Sequence, residues 1–366
     1  MRFSSFLTHR STAPAHDGEV IAAMVTHAEA CAAAGFDAIF VPDHHFTGYA
    51  PAACDGFMLQ SYLAARLPGM HFGFSVQSMP LHHPVRFAER VALLDHLTQG
   101  RVLVGVGSGT KPEEMIGFGV PYADSKHLSV DNLDIVERLW AKQPSDEPVV
   151  FDNGHYRGAV VSRLVPGPHT RPRPRLMYVA HRPESVERAA RQAAPVFVPG
   201  FTPPAFAGGD PYPHVAKYLA RYLDALRAAG HDDGTVARCL DWTTHTYQFV
   251  HVAETDEQAD AELKLLLGQY QEAVTREHAA NRGAEAVMGV PLRDPEVVRS
   301  QAWQDTWCLW GSPQTVVEKL ARYADLGIGN VLCGFMGGPL TPERERLGAR
   351  SLDLFAREVM PRLRHR

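Results

Sequence analysis

Several common signatures are missing from this chain, and each absence closes a door. Of 366 residues only five are cysteine: Cys31, Cys54, Cys239, Cys308 and Cys333, an odd number, widely scattered and without a C-x-x-C pair. Neither a disulfide framework nor a zinc–thiolate site is written that way, so a reducing compartment, the cytoplasm, is the expectation. Positive charge is not in excess: 36 Lys and Arg stand against 41 Asp and Glu, a formal net charge of -5. With that balance and no polybasic run, no nucleic acid and no anionic membrane is expected as a partner. No apolar run is long enough to span a bilayer, and residues 1–6 lead into polar Thr8-His9-Arg10 where a signal peptide would have its apolar core.

Phosphate fingerprints are missing too. In Gly105-Val106-Gly107-Ser108-Gly109-Thr110 the third glycine is misplaced for a dinucleotide-binding turn. The same glycines miss the spacing of a phosphate-loop lysine motif and of a serine nucleophile elbow. No internal repeat of fixed period stands out beyond an alternation of helix and strand.

That alternation is what the sequence does contain. Residues 17–35 place Ile21, Met24, Val25, Ala28 and Ala32 at helical spacing, and 37–41 come next as a short apolar run closed by Pro42. The unit recurs. Residues 71–77 read as a strand, 84–99 as a helix with Phe87, Val91, Leu94 and Leu97 on one face, and 102–107 as another strand. Further strands are expected at 2–7, 175–179, 195–198, 247–252 and 330–335, with helices at 183–192, 213–229 and 313–326. About eight strands close a βα barrel of roughly 250 residues plus insertions. The fold class is therefore α/β: a (β/α)8 TIM barrel with insertions at its carboxyl-terminal face, in one domain over 1–366. An open doubly wound sheet is the competing fold. Residues 142–175 read as a small hairpin and loop, 201–213 as a loop over the barrel mouth, and about 253–310 as a helical and loop insertion.

On such a barrel, function lies just past the carboxyl ends of the strands. Each apolar run here leads into a polar segment: Asp43-His44-His45-Phe46, then Ser78 to His82-His83, then Gly107-Ser108-Gly109, then His181-Arg182-Pro183-Glu184-Ser185. The last opens a helix, whose first N–H groups with Arg182 and Ser185 suit a phosphate, although Ser and Glu at a helix start are more often plain caps, and on the residues alone that is the favoured reading. Asp43 can hold an imidazole in one tautomer, as a general base near neutral pH requires, and lone histidines at a strand end are just as often packing. The two His-His pairs are adjacent, whereas ligands on a strand lie two apart, so no metal is expected.

Taken in order, Asp43-His44-His45-Phe46-Thr47, Pro80-Leu81-His82-His83-Pro84-Val85-Arg86 and residues 93–101 (LLDHLTQGR) resemble the bacterial-luciferase-like flavin-dependent monooxygenases. Gly311-Ser312-Pro313-Gln314, the run 326–335 and the tail Val359-Met360-Pro361 are similar in kind to the same family, while little aligns between 201 and 305. The resemblance implies that His44 is the catalytic base and that Asp43 orients it. It implies a non-proline cis peptide at Ser75-Val76 beneath a flavin ring, with His45, Gln77, Gly107, Ser108 and Gly109 beside the flavin. Ala180, His181, Arg182 and Ser185 would hold its phosphate. The implied cofactor is reduced FMN, supplied by a separate flavin reductase. The implied reaction puts one atom of dioxygen into a small organic substrate through a flavin 4a-hydroperoxide, and the implied assembly is a homodimer.

The chain departs from the family at three positions: Ser108 where bacterial luciferase has arginine, Gly107 where it has cysteine, and Arg182 at a serine-like position. Charge pairing to phosphate is expected to have moved from one loop to another. Three other readings stay open. They are a deazaflavin-dependent hydride transfer, a metal-dependent barrel hydrolase, and a non-catalytic partner subunit. Phe46, Tyr49, Phe74, Phe201, Phe206 and Trp310 are candidate pocket walls.

Overall fold

The computed structural model describes residues 1–199, 209–289, 292 and 294–365. Eight parallel strands close into a barrel in chain order: β1 Arg2–Phe6, β2 Ala38–Val41, β3 His71–Ser78, β4 Val102–Gly107, β5 Arg175–Val179, β6 Val196–Phe197, β7 Thr244–Tyr247 and β8 Asn330–Cys333. Closure is completed by β1 pairing with β8, Ser4 opposite Leu332. The open doubly wound alternative is thereby excluded.

Alternation along each strand divides two cores. Phe6, Ala38, Phe40, Leu103, Met177, Phe197 and Leu332 fill the barrel interior with Trp242. Their strand neighbours, such as Phe3, Ile39, Val41, Phe72, Val104 and Val331, face the surrounding helices. Gly73 makes this possible, because a Cβ there would fall 2.3 Å from the Phe40 ring.

Around the barrel lie α1 Asp17–Ala33, α2 Gly56–Arg66, α3 Pro84–Leu97, α4 Ser125–Ala141, α5 Pro183–Arg191, α6 Tyr212–Ala228, α7 Pro313–Leu326 and α8 Pro342–Leu354. Proline in the first turn starts α3, α5, α7 and α8, and Ser312 and Thr341 cap the last two by accepting from Thr315 and Arg344 N–H. One apolar face departs from its helical pattern. Leu97 closes α3 more than half exposed, as is Tyr62 on neighbouring α2, so that stripe faces outward.

The expected strand at 247–252 needs correction. The barrel strand is Thr244–Tyr247, and Phe249–Val252 leaves the barrel to pair in parallel with Cys308–Gly311. A hydroxyl group explains the misplacement: Thr244 Oγ1 donates to Trp242 O at 2.8 Å and accepts from Asn330 Nδ2 at 2.9 Å, so a polar residue is satisfied inside the barrel. Within 142–175, Val149–Asp152 and Arg157–Val160 form an antiparallel hairpin.

Between the two outer strands runs a helical insertion: Asp256–Met288, capped by Thr255, then a 3-10 turn at Pro295–Arg299 and a short α-helix at Gln301–Trp307. It has a small core of its own, in which Phe249, Leu263, Leu267, Tyr270, Trp303 and Cys308 pack together, with Tyr270 and Trp303 stacked at 5.7 Å. Arg344 of α8, fully buried, ties it down by donating to Leu266 O and Gln269 Oε1. Among the described residues, no helix is long and apolar enough to cross a membrane.

Candidate active site

At the carboxyl end of β2 the chain turns through Asp43-His44-His45, and the three side chains have separate duties. Asp43 is buried and accepts from Ser78 N–H at 2.8 Å and from His82 Nε2 at 3.0 Å, while its other oxygen lies 3.3 Å from His45 Nε2. Burial alone would raise the pKa of this carboxyl. The charge and hydrogen bond of His82, with those of His45, outweigh it and hold Asp43 ionised well below the usual carboxylate range. His45 shows the counterpart: burial opposes its charge, but the bond to Asp43 and the charges of Asp43 and Glu114 win, and its pKa is raised.

His44 is served by a different acid. Its Nδ1 lies 2.9 Å from Glu114 Oε1, the same oxygen that accepts His45 N–H at 3.0 Å. Glu114 is 1% exposed and sits on a short helix, Pro112–Gly117, that comes after β4. A carboxylate only accepts, so this contact assigns the proton to Nδ1 and leaves Nε2 as the ring's basic atom. The expectation that Asp43 orients His44 is thus corrected. Asp43 is turned toward β3 and its following turn by Ser78 and His82, and the partner of His44 comes from the next loop. Tyr49, a suggested pocket wall, packs its ring against His44 at 4.9 Å.

Beyond β3 and β4 the backbone itself shapes the site. The Ser75–Val76 peptide bond is cis, where the resemblance placed it, and the β3–β4 register shifts between Phe74 and Gln77. Val76 is thereby half-buried at the mouth, and Gln77 is buried with its Nε2 lacking a partner. A Cβ on Gly105 would lie 2.1 Å from Phe74 O, and one on Gly107 would lie 2.8 Å from Val76 Cγ2. Both glycines are needed for β4 to pass this bulge. Gly107 pairs with Ser78, and Ser108 and Gly109 continue half-buried along the rim.

After β5, Ala180 is buried, His181 and Arg182 are exposed and Ser185 is half-buried. Arg182 occupies the N-cap position of α5 and makes no capping bond, Pro183 comes next, and neither Glu184 nor Ser185 serves as the cap. The capping reading of this motif is not realised. Burial, then the Arg182 charge, lowers the His181 pKa, which leaves Arg182 as the cation at this helix end. A glycine-lined bulge, a basic imidazole and an uncapped helix start with an exposed arginine fit a flat anionic cofactor bearing a phosphate.

The other candidates scatter. Phe74 is core, Phe46 is exposed with φ of 65°, Trp310 carries Lys319 over its ring in the insertion, and Phe201 and Phe206 fall outside the described residues, as does most of the loop at 201–213. Among the described residues no three His, Cys, Asp or Glu side chains group to hold a metal ion. A cavity of about 280 Å3 lined by His45, His82, His83, Arg86 and Phe118 adjoins the histidines. A larger one, about 510 Å3, lies at the opposite end of the barrel around Met1, Asp37 and Gly329, away from this chemistry. Glu114 escaped the sequence reading, as did the pairing of His82 with Asp43. The run Lys111-Pro112-Glu113-Glu114 signals only a helix start.

A family model described as luciferase-like monooxygenase matches residues 1–330. A 4-hydroxyprotoasukamycin monooxygenase of Streptomyces nodosus subsp. asukaensis is 27% identical over 342 residues, 90% of this chain and 83% of that protein. An F420-dependent glucose-6-phosphate dehydrogenase of Nakamurella multipartita is 24% identical over 90% of this chain and 89% of its own. Among solved structures, monooxygenase RslO1 of Streptomyces bottropensis superposes with a TM-score of 0.76 at 24% identity, covering 99% of each chain. The oxygenating constituent of 3,6-diketocamphane monooxygenase of Pseudomonas putida, in complex with FMN, does so at 0.71 and 18% identity, covering 99% of this chain and 98% of that one. Barrel, family model and relatives agree: this chain belongs to the luciferase-like monooxygenase family, and it is an enzyme, an oxidoreductase.

Proposed function

We propose that the chain is the oxygenase half of a two-component system. It would take reduced FMN from a separate flavin reductase and put one atom of dioxygen into a small organic substrate. The observation that carries this reading is the meeting of three features at one barrel mouth: the Glu114–His44 pair, the glycine-lined cis bulge of β3 and β4, and the uncapped start of α5 with Arg182. FMN supplies the electrons and the activation of dioxygen.

The protein supplies position and proton control. Val76, Gln77, Gly107, Ser108 and Gly109, with His45, would hold the ring. Ala180, His181, Arg182 and Ser185, with the first N–H groups of α5, would hold the phosphate. His44, with Nδ1 fixed by Glu114, would take a proton at Nε2 from the substrate or return it to the leaving oxygen. Asp43 would serve as a fixed anchor for His45 and His82. The insertion and the loops around 107–123 and 201–213 would cover the mouth and keep water out.

The same reading places the enzyme in the cytoplasm, in keeping with five free thiols including the exposed Cys54. It also makes the enzyme a homodimer through the stripes of Met58 and Tyr62 on α2 and Leu93 and Leu97 on α3, all half or more exposed. The test is a reductase-coupled reaction under isotopically heavy dioxygen with a panel of small carbonyl, phenolic and alkene substrates. One heavy atom in the product is expected. Oxidation with no oxygen gained, supported by a deazaflavin in place of FMN, would move the chain to hydride transfer.

A further inference from the structure

Glu277, on the long insertion helix, is far in sequence from every residue placed at the site, yet it is the junction of two chains of contacts that end on His44. Its Oε2 pairs with Arg10 Nη1 and its Oε1 with Lys111 Nζ at 3.0 Å, and its side chain is 15% exposed. Arg10, itself buried, donates to Thr47 O at 3.0 Å and lies over the Tyr49 ring at 5.3 Å; Tyr49 is the ring packed on His44. Lys111 is the N-cap residue of the short helix 112–117, and its carbonyl receives Glu114 N–H at 3.2 Å; Glu114 holds His44 Nδ1. One arm thus backs the imidazole ring and the other fixes its proton.

We propose that Glu277 is a positioning residue: by clasping Arg10 and Lys111 together it makes the closed insertion a condition for a correctly oriented His44. Seated, the insertion sets a carboxylate between Arg10 and Lys111, which also meets Glu113 Oε1 at 3.5 Å, and locks both walls of the base. Displaced, it frees the Tyr49 and Glu114 segments together. This couples covering the mouth to arming the base, so that proton transfer is confined to the state from which water is excluded. The proposal rests on the reading of His44 as the proton-handling group.

Its test reads the imidazole directly. In the full chain with isotope-labelled histidine, ring-nitrogen NMR reports the tautomer of His44, its signals assigned through His44→Asn. The unmodified protein is expected to show the single Nδ1–H tautomer. Glu277→Gln is expected to lose it for a mixture of tautomers. Glu262→Gln, which breaks a comparable partly buried link from the same helix to His251 and Arg350, is expected to leave it unchanged. An unaltered His44 signal in Glu277→Gln, or an equal change in both variants, overturns the clasp. Should Glu277→Gln fail to fold, Lys111→Met cuts one arm at a more exposed side chain and is expected to give the same mixture; an unaltered signal there overturns the clasp too. Because no substrate or flavin enters this measurement, the clasp and the proposed oxygenase function can fail separately.

Discussion

Replacing Asp43 by asparagine keeps the shape and removes only the charge, so its consequence can be worked from the contacts. Asparagine can still accept from Ser78 N–H, but its amide cannot accept from both His45 and His82. Ser78 N–H and His82 meet the same oxygen, which the amide carbonyl can keep, so what is lost is the His45 contact to the other oxygen and the charge that His82 faces, at about 1.5–3 kcal/mol for a contact to a charged group. Removing one charge of a buried ion pair extends this to about 3–5 kcal/mol. Unfolding entropy near 2.1 cal/mol/K per residue over 366 residues converts this to a fall in Tm of about 4–7 °C.

The loss should depend on pH with a definite sign. Asp43 is depressed in the folded state, so its contribution is present above the unfolded carboxylate pKa, about 3.9, and disappears as pH falls through the folded value. His45 is raised, so its contribution is full below about 6.5 and is lost as pH rises through its folded pKa. The gap between wild type and Asp43→Asn should therefore be widest from about pH 4 to 6.5 and narrow on either side. Thermal denaturation of both proteins from acid to mildly alkaline pH measures it. A gap under about 1 kcal/mol, or one that is flat with pH, refutes the ion-pair account.

Other positions give independent tests. Arg182→Ala should weaken reduced-FMN binding about 10–100-fold in an anaerobic fluorescence titration, the equivalent of one charge-assisted bond, while Ser108→Ala changes it little; equal effects would mean that the phosphate is held elsewhere. Gly105→Ala drives a methyl group into Phe74 O at 2.1 Å, and since backbone cannot step aside it should lower Tm by several degrees; unchanged melting would show that the bulge is softer than these contacts require. His44→Asn should cut turnover about 10²–10⁴-fold and leave FMN affinity near wild type, whereas a change in affinity alone would remove it from proton transfer.

The barrel was legible because a strand buried on both faces leaves an apolar run, and Ala38–Val41, Val102–Gly107 and Arg175–Val179 are such runs. Thr244–Tyr247 was misplaced because the group that donates to the Thr244 hydroxyl inside the barrel is Asn330, 86 residues away. The site divides along the same line. Asp43, His44 and the cis bond at Ser75–Val76 belong to motifs local enough to match a family. Glu114 is 70 residues from His44, and Glu277 is 267 from Arg10; a lone glutamate on a helix looks solvated until the fold brings its partners to it. Sequence periodicity sees faces of elements, and these contacts join elements that share no period.

The most direct measurement of the whole account is a parallel anaerobic titration of the purified protein with reduced FMN and with a reduced deazaflavin, then admission of air to the FMN sample. Tight binding of FMN over deazaflavin, with bound FMN reoxidising in a course distinct from free FMN and altered in His44→Asn, is the predicted result. Preferential binding of the deazaflavin, or FMN that reoxidises in the protein's presence as it does alone, would contradict it.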